Sequence, residues 1–138
     1  MISETIYQKI QNTFRNQPFM QLLGVTMTEL SEGKSTLTFS YTDELAQQNK
    51  FLHAGVLTSV ADTACGMAAL TLLPESYDIL AVEFKINLMK PAIGTHFAAK
   101  AEVLQSGKKL SIVRCDIYNN QEKLIATMTN TLFNVCHE

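Results

Sequence analysis

The sequence predicts an α+β domain in which one sheet carries a single long apolar helix on its concave face. Three observations predict it. The run HAGVLTSVADTACGMAAL, His53–Leu70, has helical length and holds Asp62 as its only acidic residue, with no lysine or arginine. After Pro74 the chain alternates apolar with polar residues, the period of strands. These strand-like runs, with two more upstream, are grouped around the one apolar helix.

The elements follow in order. Ser3 is placed to cap a short helix whose Ile6, Ile10 and Phe14 fall at helical spacing, and Pro18 ends it. MQLLGVTMTEL, residues 20–30, reads as a first strand. Gly33 and Lys34 turn the chain into STLTFSYT, where Leu37, Phe39 and Tyr41 alternate with Ser and Thr as in a half-buried strand. DELAQQNKF is a polar loop leading into the long helix. In ILAVEFKINL, Leu80, Val82, Phe84, Ile86 and Leu88 alternate with Ala81, Glu83, Lys85 and Asn87. THFAAKAEVLQ, KLSIVRCDIYN and EKLIATMTNTLF are three further strands, divided by turns at Ser106-Gly107 and Asn119-Asn120. No repeat, linker or low-complexity segment interrupts this order, so residues 1–138 are expected to form one domain.

Composition narrows the function. With 46% hydrophobic and 17% charged residues, the chain has the make-up of a globular protein. A formal net charge of −2 offers no basic face for nucleic acid. The longest apolar runs fall far short of a membrane span, and the start MISETIYQKIQNTF lacks the basic-then-apolar order of a secretory signal. A cytoplasmic protein with no membrane partner is expected. Its three cysteines, Cys65, Cys115 and Cys136, lack metal-ligand spacing, so reduced thiols and no metal are expected. Cys65 and Cys115 read as small core residues and Cys136 as the exposed one.

Around the long helix, Val56, Val60, Ala64, Met67 and Thr71 share one side, flanked by Leu57 and Ala68. The other side holds Gly55, Thr58, Ser59, Asp62, Cys65, Gly66 and Ala69. It is small and partly polar, without the lysines and glutamates of a solvated face, so another backbone can come close. Asp62 therefore points at an interface or cleft, where an unpaired carboxylate would be costly. Two roles stand for it. A lone helical aspartate often serves as a structural partner for a nearby N–H or lysine. Yet His53, Ala54 and Gly55 open this helix, where unpaired backbone N–H groups point outward. Such amides plus a carboxylate are the minimum for acyl chemistry: the first stabilise an oxyanion, the second activates water or attacks directly. No GxSxG, HExxH or glycine-rich phosphate loop, and no Ser-His-Asp or Cys-His pairing, offers a rival site.

HAGVLTSVAD resembles the His-Gly-Gly…Ala-Asp signature of hotdog-fold acyl-CoA thioesterases of the phenylacetate-pathway (PaaI-like) type. QPFMQLLGVTMTEL is similar to that family's opening strand, and AVEFKINLMKPA to the strand after its central helix. The resemblance covers nearly the whole chain, and the step from His53 to Asp62 is the family's spacing. It implies a hotdog fold, a curled antiparallel sheet around one long central helix. It also implies hydrolysis of an acyl-CoA thioester to a free acid and coenzyme A, with no cofactor beyond the coenzyme A of the substrate.

Roles carry over one position at a time. Asp62 falls on the family's catalytic carboxylate, as general base or nucleophile. Ala54 falls on the residue whose N–H polarises the thioester carbonyl, with Gly55 as the next amide of the helix start. Gln47 falls where relatives carry an Asn or Gln that helps hold the carbonyl; Asn49 is nearby but off the spacing. His53 shapes the helix entrance, a purely structural histidine being an equal reading. Lys90 and the turn Gly107-Lys108-Lys109 match rim positions that meet nucleotide phosphates, although lysines in turns are also ordinary solubilising residues. Phe19, with Met20, Leu22 and Leu23, falls where the family lines its acyl pocket, or packs as plain core. The family often has Gly in place of Ala54, a change that preserves the amide. Its water-orienting Ser or Thr is matched by Ala81 or Gly66, which leaves Thr58, Ser59 and Thr63 for that task.

The family implies a homodimer or dimer of dimers, and helix geometry reaches a shared site independently. At about 1.5 Å rise per residue, Ala54 and Asp62 lie roughly 12 Å apart along one axis, too far to serve one thioester. Two antiparallel helices meeting on Gly55, Ser59 and Gly66 would set Ala54 of one chain beside Asp62 of the other. Two other functions are weighed. An enoyl-thioester hydratase needs a histidine beside a carboxylate, and His96 and His137 lie outside any such motif. Asp62 favours catalysis over a mere acyl-CoA-binding module, and a 138-residue chain filled by one hotdog would leave no room for a DNA-binding appendage.

Overall fold

The computed structural model of the chain describes residues 1–137. Ser3 caps α1 (Glu4–Arg15), its hydroxyl accepting from the Ile6 N–H at 3.2 Å, a contact of a kind worth about 1 kcal/mol. Pro18 ends that run but opens another helix, α2 (Pro18–Leu23), which Gly24 closes in the left-handed conformation (φ 71°). The strand expected over residues 20–30 is thereby corrected to a short helix followed by β1 (Thr26–Ser31). The cause is local. A proline at the first helical position and a glycine just past the last bracket a helix, and Met20 and Leu23, three apart, then turn together into the core.

The remaining elements are β2 (Lys34–Ser40), a 3-10 turn at Asp43–Leu45, α3 (Ala54–Leu70), β3 (Tyr77–Leu88), β4 (His96–Ser106), β5 (Leu110–Asn119) and β6 (Leu124–Cys136). The strands form one antiparallel sheet in the order β1-β2-β4-β5-β6-β3, curled around α3 as in a hotdog fold. Val56, Val60, Ala64 and Ala68 of the helix are buried with inward side chains of the strands, among them Leu37, Phe97, Val113, Ile117 and Met128. Phe39 and Phe97 stack with ring centroids 5.5 Å apart, the offset geometry that adds to plain burial.

The helix is covered further round than its sequence suggests. Cys65 and Ala69, read as part of the small open side, are fully buried. At Gly66 an added Cβ would come within 3.0 Å of Ile79 Cδ1, so β3 of the same chain occupies the place assigned to a partner helix. On the other flank α1 lays fully buried Ile10 against Met67 and Leu70. The strip left open on the small side of the helix runs through exposed Gly55 and half-buried Thr58, Ser59, Asp62 and Thr63. Cys115 is buried, and a hydrogen bond with Cys65 together with that burial pushes its thiol pKa well up, which keeps it a small protonated core group. Cys136 is exposed.

β3 departs from simple alternation. Its register against β6 slips between Ala81 and Glu83, and this bulge splits the apolar row 80–88 between faces. Ile79 and Ile86 pack on the core, whereas Leu80 (63% exposed), Val82 (58%), Phe84 and Leu88 do not. β3 ends the sheet, so its outer edge has no partner strand among the described residues. The opposite edge strand, β1, is short, bulged at Met27/Glu29 and exposes Thr26, Thr28 and Glu29, features that discourage pairing with another chain.

Candidate active site

A tight loop delivers the chain to α3. Gln47 N–H donates to Phe51 O at 2.8 Å, Lys50 N–H to Gln47 O at 3.0 Å and His53 N–H to Leu45 O at 2.9 Å. Lys50 takes a left-handed φ of 63° to close it. Gln47 Oε1 accepts from the Asn49 N–H. That leaves Nε2, a donor, as the end of Gln47 able to meet a ligand.

His53 is the N-cap of α3. Its backbone is extended (φ −60°, ψ 139°), and its Nδ1 accepts from the Gly55 N–H at 2.8 Å. A neutral ring in that role carries its proton on Nε2. The cap explains the glycine, because a Cβ at position 55 would stand 2.9 Å from Nδ1. The Gly55 amide, expected to face a ligand, is thus taken by the imidazole, since the second N–H of a helix is within reach of its cap. The Val56 N–H donates to His53 O at 2.9 Å. Among the described residues the Ala54 N–H has no acceptor, so it is the amide this helix start presents.

Gln47, His53, Ala54 and Lys90 line one cavity of about 500 Å³, whose remaining wall is largely apolar and includes Leu57, Leu88, Met89 and Pro91. Asp62 lies in another, of about 190 Å³, with Gln17, Thr63, Leu80, Ala81 and Leu132. Among the described residues none lines both. Asp62 Oδ1 accepts from Asn130 Nδ2 at 2.8 Å. Of the hydroxyls considered for orienting water, Thr58 and Ser59 donate back to the Ala54 and Gly55 carbonyls at 2.9 and 2.7 Å. Thr63 instead lines the carboxylate's cavity, its Oγ1 3.4 Å from Gln17 Oε1.

The other expected residues are dispersed. Lys90 donates its backbone N–H to Ile125 O beside the entrance of α3. Gly107, Lys108 and Lys109 sit past the opposite end of β5, a strand of 10 residues and hence about 30 Å long. Asn134 holds that turn, its N–H donating to Lys109 O at 2.7 Å and its Nδ2 to Gly107 O at 2.9 Å. Phe19 is 52% exposed and lines neither cavity, unlike buried Met20 and Leu23. His96 bonds Thr95 Oγ1, and His137 lies 3.8 Å from Asp78; neither reaches Asp62. Asn130 and Gln17 were not singled out from the sequence. Asn130 had a usable signal: it shares the parity of Ala126, Met128 and Leu132, so strand alternation turns it inward. Gln17 precedes Pro18 and has no such mark.

Among the described residues no helix is long and apolar enough to cross a membrane. The family model for the Thioesterase superfamily matches residues 49–126, which hold the α3 entrance, Asp62 and Lys90. The acyl-coenzyme A thioesterase PaaI of Escherichia coli is 25% identical over 126 residues, spanning 91% of this chain and 88% of that protein. A solved thioesterase family protein from Silicibacter pomeroyi superposes with a TM-score of 0.92 at 40% identity, covering 95% of this chain and 98% of the other. The solved E. coli PaaI protein superposes at 0.91 with 22% identity, over 99% and 98% of the two chains, a likeness of fold.

Proposed function

Given that the chain belongs to the thioesterase superfamily and is a PaaI-like thioester hydrolase, we propose that its substrate is an acyl-coenzyme A, cleaved at a site two copies build together. The observation that carries this reading is the division of the chemical groups. Ala54 and Gln47, whose N–H and Nε2 are donors suited to a thioester oxygen, line one cavity, and Asp62 lines another. A second copy, antiparallel along α3, brings its Asp62 to the first copy's Ala54. The open strip at Gly55 and Ser59 and the unpaired edge of β3 support that approach, since a strand edge twelve residues long, nine of them exposed, invites pairing.

In such a site the Ala54 N–H at the positive end of α3 and Gln47 Nε2 stabilise charge on the thioester oxygen. Asp62 takes a proton from the water that attacks the carbonyl, or attacks the carbonyl itself to give an anhydride that water then hydrolyses. In both routes the C–S bond breaks, the coenzyme A thiolate leaves and the acyl group departs as the free acid. Lys90 at the donor cavity, and the Lys108-Lys109 turn of the second copy, which antiparallel pairing brings toward the first copy's α3 entrance, supply positive charge for the nucleotide phosphates. The test is release of free thiol from a panel of aromatic and aliphatic acyl-CoAs. Turnover on members of that panel is expected; binding without thiol release would overturn the reading.

A further inference from the structure

Asn130 is fully buried on β6, in the inward row between Met128 and Leu132. Its Nδ2 donates to Asp62 Oδ1 at 2.8 Å, while its Oδ1 is enclosed and meets no donor among the described residues. The opposite orientation of the amide would set its oxygen against the carboxylate, so the pairing itself decides which end faces Asp62. An enclosed acceptor without a donor destabilises a fold. An apolar side chain of the same size would suit this row better, and the chain nevertheless places an amide here.

We propose that Asn130 is a positioning residue for hydrolysis. By fixing Oδ1 of Asp62 it holds the carboxylate in one orientation and leaves Oδ2 unengaged for the reaction. Asn130 is fully buried and acts through Asp62, and the inference therefore rests on the catalytic reading of Asp62. A carboxylate whose oxygen is freed to shift by about 1 Å loses attack geometry, which is enough to cost up to roughly 100-fold in rate.

Asn130→Leu removes the donor and the enclosed acceptor together. Expected are a kcat lower by about 10- to 100-fold, a KM for acyl-CoA within about twofold of wild type, and a melting temperature equal or higher. The same substitution is then made in Asp62→Asn protein, with residual rates read in single turnovers at excess enzyme. With the carboxylate gone, Asn130→Leu is expected to cause no further loss. Lower melting temperature with equal fractional losses in both backgrounds would mark Asn130 as merely structural and overturn the proposal, as would an unchanged kcat. Should Asn130→Leu not fold, Asn130→Thr, a residue suited to strands, is read in the same two backgrounds for the same non-additivity. Full turnover in Asp62→Asn alone overturns the reading of Asp62. An inactive Asp62→Asn beside a fully active Asn130→Leu overturns only the role of Asn130.

Discussion

Ala54 and Asp62 belong to one helix but to two separate cavities. About 12 Å of helix axis divides them, and no residue bridges the two spaces. A carboxylate must come within a few ångströms of the thioester that an amide holds, so a second copy completes the proposed site.

Complementation tests this arrangement. One protein carries Asp62→Ala and the other Ala54→Pro. The second is expected to fold, because position 54 opens α3 and His53 already has the extended backbone that a following proline requires. In a mixed dimer one site holds both lesions and the other neither, so co-expression should restore up to half the activity per heterodimer. Purified heterodimers without activity would place the site within a single chain.

Asp62→Asn should lose turnover by about 10²- to 10⁴-fold while keeping affinity for acyl-CoA. The amide oxygen can still accept from Asn130 Nδ2, so the melting temperature should hardly change. A lower melting temperature with retained rate would make Asp62 a structural partner only.

Gln47→Ala should lower kcat by at most about 2–4 kcal/mol in barrier, the worth of one oxyanion donor. Asn49→Ala should be nearly silent, since only the Asn49 backbone N–H contacts Gln47. Steady-state kinetics giving the reverse ranking would reassign the donor.

His53→Ala should cost about 1 kcal/mol of stability through loss of the helix cap. Gly55→Ala should destabilise by the same route, its Cβ displacing the imidazole at 2.9 Å. Urea melts of both variants and of the double mutant check this, with the double mutant expected to fall short of the sum.

Lys90→Ala, and separately the pair Lys108→Ala with Lys109→Ala, should raise KM for acyl-CoA, more so at low salt where charge is less screened. An acyl-pantetheine without the nucleotide should not register either change. Equal losses on both substrates would point to damage to the fold.

Much of this protein is written locally. The one-charge run of α3, the period-two strands after Pro74, and the HAG entrance with Asp62 beyond it follow from side-chain period and terminal chemistry, and those rules act over neighbouring residues. The helix that replaces the expected opening strand is local too, because Pro18 and Gly24 bracket it. Other features depend on packing summed over the fold. The fold sets the cavity that the Ala54 amide faces, whereas the His53 ring takes the Gly55 amide by the local rule of a helix cap. The bulge at Val82 and the end position of β3 turn an apparently half-buried row into an exposed apolar edge. Asn130 reaches Asp62 across a sequence separation of 68 residues, because antiparallel register, set by every strand between the two edges, brings β6 under the helix. Local propensity can announce that Asn130 points inward; only the closed sheet can say which carboxylate it meets.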